Sequence, residues 1–210
     1  FKSSPYKPSK LLLNLDFESE KISHPVKHKR DKYDLLEVTD PGGKKASLGL
    51  MYEAGNTKDR LAKLISDPTD VAKKDNHVLH YWLKNARIPD QRKGRSKGRI
   101  QLNLEKIAVT SVFQRYRLYL HPDLEMYRQY PKQNTWFTIN EMMMGAKWRK
   151  HPFPFRISLN IAKPEGVGKP LYFTVGADIA NGGEIKKGKW KQVWGVVGAK
   201  YEVPLGQWLD

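Results

Sequence analysis

The feature that most constrains this chain is alternation. Short runs in which apolar and polar residues take turns recur along it, separated by Gly, Pro, Asp and Asn. Period two sends successive side chains to opposite sides of an extended backbone, so each run reads as a half-buried β-strand. "LLLNLDFES" opens as a strand and Leu35–Val38 forms a short one, followed by a turn at "DPGG". Arg60–Ile65 fits a helical turn or a strand. "HVLHYWLKN", "GRIQLNLEK", residues 111–120 ("SVFQRYRLYL"), "TWFTINEMM", "FRISLNIAK" and "PLYFTVGAD" follow, and "KWKQVWGVV" and "KYEVPLGQW" close the series. "HPDLEMYRQYPKQ" holds one helical turn at most. No long capped helical pattern and no internal repeat competes with this reading. The expected fold is all-β, an antiparallel sandwich of jelly-roll type. At 210 residues without a Ser/Gly-rich or Pro-rich divider, one domain spanning 1–210 is expected.

Charge narrows the partners. Lys and Arg number 38 against 22 Asp and Glu, a formal net charge of +16. Such an excess draws polyanions by steering and counterion release. Nucleic acid, anionic membrane and acidic polysaccharide all qualify, and an inert basic surface is the plain alternative. There are no cysteines, which excludes disulfides and thiolate metal sites. No apolar run approaches the ~18–20 residues of a spanning helix. "FKSSPYKPSK" reads as an extended lead-in, any export signal having been removed or never present.

The non-core positions of five runs have an unusual composition. They are His80, Trp82 and Lys84; Arg99, Gln101 and Asn103; Arg115, Arg117 and Tyr119; Thr138 and Asn140; Arg156, Ser158 and Asn160. Arg, Gln, Asn, His, Trp and Tyr dominate, with scarcely a carboxylate. Arg forks onto carboxylate or sulfate, aromatic rings stack on pyranose faces, and amides bond hydroxyls. This is the inventory of a concave site for acidic sugars; a plain solvated face is the alternative.

Other motifs are weaker. "DPGGKK" and "GRSKGR" match no nucleotide-binding fingerprint, and His24 and His28, though spaced i, i+4, sit amid Pro and basic residues that read as a loop, where a chance pair is the plain reading. The basic runs "RKGRSKGR", "GAKWRKHPFPF" and "KKGKWKQVW" would contact phosphate or sulfate alike, or be solvated loops. Glu141 shares a phase with Phe137 and Ile139, so strict alternation buries it with the core. Burying an unpaired carboxylate is costly. Either a bulge turns Glu141 outward or an arginine pairs with it. Too few facing carboxylates are present for a glycosidase. β-Elimination from a uronic-acid polymer needs a cation or amide to neutralise the carboxylate and a His, Tyr or Lys to move the proton, and these types are present.

The order "LDFE", "DRLAKLISDP…HVLHYWLKNA", "KGRIQLNL", "RYRLYLHPDL", "WFTINEMM", "FPFRISLNIAKP" and "VPLGQW" resembles polysaccharide lyases of the heparin lyase I and glucuronan lyase type. The resemblance implies a concanavalin A-like jelly roll of two antiparallel sheets, the concave one binding acidic glycan, in a secreted or periplasmic bacterial protein. The related alginate lyases carry an Arg-x-Glu-x-Arg strand, to which "RIQLN" is the nearest stretch, keeping Arg99 but no carboxylate and no second Arg; their Gln-x-His motif is absent, and "INE", with Asn140 and Glu141, stands on the comparable strand. In such folds "VPLGQW" leads into further strands, so the expectation is either that C-terminal strands are missing after Asp210 or that the fold is smaller than the resemblance suggests. The resemblance also implies a structural Ca²⁺, with Asp16 and Glu18 as ligands. On this reading His80 or Tyr119 is base or acid, with Gln101, Asn140 and Glu141 as the other catalytic candidates. Trp82, Arg99, Asn103, Arg115, Arg117, Arg156 and Asn160 bind substrate. A non-catalytic carbohydrate-binding module is the runner-up, and a nucleic-acid-binding β protein the third reading.

Overall fold

A computed structural model describes residues 11, 13–23, 33–39, 42–53, 58–70, 75–84, 89–90, 95–96, 99–103, 113–131, 136–143, 155–179, 191–196 and 202–210. His24, His28, most of the run 92–98, the loop 145–154 and residues 186–190 lie outside them, as do the side chains of Arg99, Gln101 and Asn103. The described chain is predominantly β with one short helix, and every strand pair is antiparallel. It divides into two compact units, Phe1–Phe113 and Gln114–Asp210.

The first unit holds β1 (Lys21–Ser23), β2 (Tyr33–Thr39), β3 (Lys45–Glu53), β4 (Arg60–Ser66), β5 (His77–Leu83), β6 (Pro89–Asp90), β7 (Arg95–Ser96) and β8 (Arg99–Asn103). A four-stranded sheet runs β1-β2-β3-β8, and β4–β5 and β6–β7 are hairpins. Alternation picks the inner face: Leu36 opposes Leu48 and Leu50 opposes Leu102, and Leu36, Val38, Leu48 and Leu50 are buried. Ala62 of β4 and Leu79 of β5 complete this core, so Arg60–Ile65 resolves as a strand.

The opening run is a partial exception. Leu13, Leu15 and Phe17 pack on the core, while Asn14, Asp16 and Glu18 are exposed, yet no ladder forms before Lys21. Alternation reports one buried side of an extended chain; it does not supply a pairing partner.

The second unit holds β9 (Leu118–Tyr119), a 3₁₀ turn (Pro122–Leu124), α1 (Glu125–Gln129), β10 (Trp136–Met143), β11 (Phe155–Ala162), β12 (Tyr172–Ile179), β13 (Lys191–Val196) and β14 (Trp208–Leu209). Strands β10 to β13 form a meander in sequence order, and β9 pairs with β14. Ile161, Leu171 and half-buried Phe173 lie under Leu118, Leu120, Leu124, Tyr127, Tyr130, Val203, Leu205 and Leu209. The layer over this sheet is therefore chain with little ladder of its own. Pro122 starts the 3₁₀ turn after His121, whose ring nitrogen accepts the Asp123 N–H. Pro131 pushes Tyr130 into an extended conformation, ending α1 after five residues.

The run 111–120 is shorter as a strand than its alternation predicts. Residues 113–117 join no ladder among the described residues, and the run pairs only at Leu118–Tyr119, with β14.

Candidate functional site

The segment 114–121 carries the most chemistry in one place. Trp208 pairs with Tyr119 and Leu209 with Leu118. What brings Trp208 there is the turn before it. Gly206 sits at φ +77° and donates its N–H to the Leu120 carbonyl at 2.8 Å. That left-handed conformation suits glycine, and a Cβ there would meet Pro122 Cγ at 3.4 Å.

On this ribbon the Arg117 guanidinium lies 5.2 Å from the centroid of Trp208, within cation–π range. The Tyr119 ring lies 5.5 Å from Trp208, and the His121 ring meets Tyr119 edge-on at 6.4 Å. Arg117 Nε is 3.1 Å from Asp210 Oδ1, with both side chains more than half exposed. His121 Nδ1 faces the Asp123 carboxylate at 3.3 Å. Arg115 is exposed and makes no ion pair among the described residues, and the Tyr119 hydroxyl makes no hydrogen bond among them. Gln114 anchors the segment's start, accepting from Asn140 Nδ2 at 3.1 Å. Arg115, Arg117 and Tyr119 were legible in the sequence. Trp208, His121 and Asp210 were not, because Trp208 acquires its place only by pairing with a strand far away along the chain.

The Glu141 question has a double answer. A bulge between Thr138 and Asn140 shifts the register, so Glu141 stands opposite Ser158 and in phase with Thr138 and Asn160, not with Phe137. There it also finds Arg156, 3.7 Å away. The same face holds Asn160, fully buried, which accepts from Thr138 Oγ1 at 2.8 Å and donates to Ser158 Oγ at 3.0 Å. Arg156 and Asn160, read as substrate contacts, are thus engaged with their own sheet. Buried Asn160 shows that this row is not simply a wet face.

In the first unit, His80 and Trp82 share one side of β5, opposite Lys63 and Leu61. Trp82 is 39% exposed. Arg99, Gln101 and Asn103 belong to the other sheet, at register positions alternating with Ile100 and Leu102. The five runs expected to share one face therefore fall in four hydrogen-bonded sheets. A polar network sits at one end of this core: Tyr52 donates to Asp34 Oδ2 at 2.7 Å, and the buried Arg60 guanidinium lies 5.6 Å from the Tyr52 ring. Burial, then the Asp34 bond, pushes the Tyr52 phenol well above its ordinary value.

Asp16 and Glu18 are already in use. Asp16 Oδ1 accepts the Glu18 N–H at 3.1 Å, and Glu18 accepts the His77 N–H at 2.9 Å and faces His77 Nδ1 at 3.1 Å. Among the described residues no cluster of three or more His, Asp or Glu is arranged to hold a metal. No helix among them is long and apolar enough to cross a membrane.

Comparison with known proteins adds no relative: no family model, no curated protein and no solved structure matches this chain.

Proposed function

We propose that this protein binds an acidic polysaccharide, uronic-acid-containing or sulfated, through the 115–121 segment and Trp208. The observation that carries the reading is the line Arg117, Trp208, Tyr119, His121, in which a cation, two aromatic rings and an imidazole succeed one another, the rings of Trp208 and Tyr119 half-buried between exposed Arg117 and His121. A sugar ring stacks on aromatic faces, and its acidic group takes the guanidinium. The net charge of +16 steers such a polymer toward the surface. Cleavage by β-elimination is the catalytic extension. Arg117 would neutralise the uronate, and Tyr119, with His121 beside it, is the group placed to move a proton.

The test is binding of heparin, glucuronan and alginate to the wild type and to Arg117→Ala and Trp208→Ala, while following the ultraviolet absorbance of unsaturated product. Each variant is expected to weaken binding about tenfold, or about 1.4 kcal/mol. Binding without product on every polymer leaves a carbohydrate-binding module. Binding to nucleic acid with a steep salt slope, and to no glycan, overturns the reading.

A further inference from the structure

Arg117 offers two ways to take an anion, and one is spoken for. A guanidinium presents five N–H donors in a planar fork: a side edge through Nε and an end edge through the two Nη groups. Asp210 Oδ1 lies 3.1 Å from Nε, and the guanidinium carbon lies 5.2 Å from the centroid of the Trp208 ring. No carboxylate besides Asp210 is paired with Arg117 among the described residues. A long exposed arginine normally wanders among rotamers and loses that entropy on binding. Here a carboxylate and an indole both contact the guanidinium and restrict where it can go.

We propose that Asp210 is a positioning residue: it holds Arg117 by Nε so that the Nη edge faces outward to receive one acidic group of the ligand end-on. This rests on the glycan reading above, and it gives Asp210 a role opposite to the obvious one. An aspartate beside an anion-binding arginine adds a negative charge, so on charge alone its removal strengthens the binding of an anion. If Asp210 orients the fork, its removal weakens binding despite the more favourable charge. Asp210→Asn separates the two roles, because the amide oxygen still accepts from Nε while the charge is gone.

The experiment uses the whole chain, with a uronic-acid oligosaccharide as probe and the Arg117 Nε–H resonance, assigned through Arg117→Lys, as a readout independent of any glycan. Asp210 is more than half exposed, so neither substitution threatens the fold. The expected result is a sharp Nε–H signal in the wild type and in Asp210→Asn, lost to exchange in Asp210→Ala. Affinity is expected to fall about tenfold in Asp210→Ala and to hold or rise in Asp210→Asn. Tighter binding by both variants overturns the positioning role and makes Asp210 a competitor. An Nε–H signal indifferent to Asp210→Ala overturns it as well. If no acidic polymer binds the wild type, the glycan reading fails, and the resonance still decides whether Asp210 orders Arg117.

Discussion

The two units cover similar sheets in different ways. In the first, Ala62 and Leu79 bring the β4–β5 hairpin against the Leu36, Leu48 and Leu50 face. A hairpin satisfies its backbone groups through its own ladder, seven residue pairs from Arg60–Leu83 to Ser66–His77. In the second, the cover is a short ribbon, a 3₁₀ turn and a five-residue helix. The carbonyls at the end of that helix have no ladder to enter. They are met by Lys163, fully buried, whose Nζ donates to the carbonyls of Tyr127 at 3.2 Å, Arg128 at 3.4 Å and Tyr130, with the rings of Tyr127 and Tyr130 flanking it. Burial draws the lysine below its ordinary pKa, while the carbonyls act against that by replacing the ammonium's water. Arg128 does the complementary work outside, held by Glu125 at 2.6 Å and by Glu202, and donating to the Lys169 carbonyl at 3.3 Å. A covering layer without a ladder takes its donors from side chains.

The contrast predicts where each unit is fragile. Leu50→Ala empties a fully buried site in the first core and is expected to cost about 3 kcal/mol, read from denaturant unfolding. Lys163→Met keeps the volume in the second core but takes one donor from three carbonyls; Tyr127 keeps the Tyr130 N–H and Arg128 the Gly168 N–H, so the heaviest loss falls on Tyr130. An orphaned acceptor costs roughly 1–3 kcal/mol and the two weakened ones add to it, offset by no longer burying a cation, so a net loss of about 2 kcal/mol is expected. The position of the loss matters as much as its size: amide exchange should speed up in α1 and at Tyr130. A Lys163→Met protein as stable as the wild type would show that the irregular layer stands on apolar contacts alone, and the comparison would collapse.

The same contrast explains what could be read in advance. Strand β2 follows its alternation, with Leu36 and Val38 buried against exposed Glu37 and Thr39 in a ladder of seven pairs to β3; β11 and β12 pair over their full length yet bury Asn160 and Thr174 and expose Ile157. The 111–120 run carries an equally good pattern, and among its described residues only Leu118–Tyr119 enter a ladder, because alternation marks a buried side and does not supply a pairing partner. Glu141 was recognisable as a misfit by phase, and both remedies chemistry allows, a bulge and an arginine, are used. Lys163 had no signal of its own. It follows Ala162 in a run ending "NIAKP", and a lysine at a strand end reads as solvated unless the carbonyls it will meet are known. Trp208 and Asp210 were hidden for the same reason: their partners are distant in sequence.

The first unit also contains a polar network, so its core is not purely aliphatic, and Tyr52→Phe measures how much that matters. Removing the hydroxyl leaves Asp34 Oδ2 without this donor. About 1 kcal/mol is expected from unfolding, below the Lys163→Met value, because one acceptor is affected instead of three. A loss exceeding that of Lys163→Met would reverse the ranking of the two cores.

The smallest effect lies at the surface of the first unit, where Glu18 ties the non-ladder segment 13–20 to the start of β5. Glu18 is held below its ordinary pKa, first by the His77 N–H and then by the His77 ring. His77 is held above its ordinary value chiefly by the Glu18 carboxylate, with the Asp75 carbonyl adding to it. The signs fix the window. A raised histidine contributes fully below its unfolded pKa, and the contribution fades as pH rises through the folded value. A depressed glutamate contributes above its unfolded pKa and fades as pH falls through the folded one. The tether is therefore at full strength between the ordinary Glu and His values, about pH 4.3 to 6.5. In Glu18→Gln the His77 midpoint, followed by its ring proton shifts, is expected to drop toward the ordinary histidine value with global stability nearly unchanged, since both groups are more than a third exposed. An unmoved midpoint would mean that Leu13, Leu15 and Phe17 hold this segment by apolar contact alone. The first unit would then need no charged side chain to secure its own piece of non-ladder chain, and reliance on side-chain donors would belong to the second unit's cover.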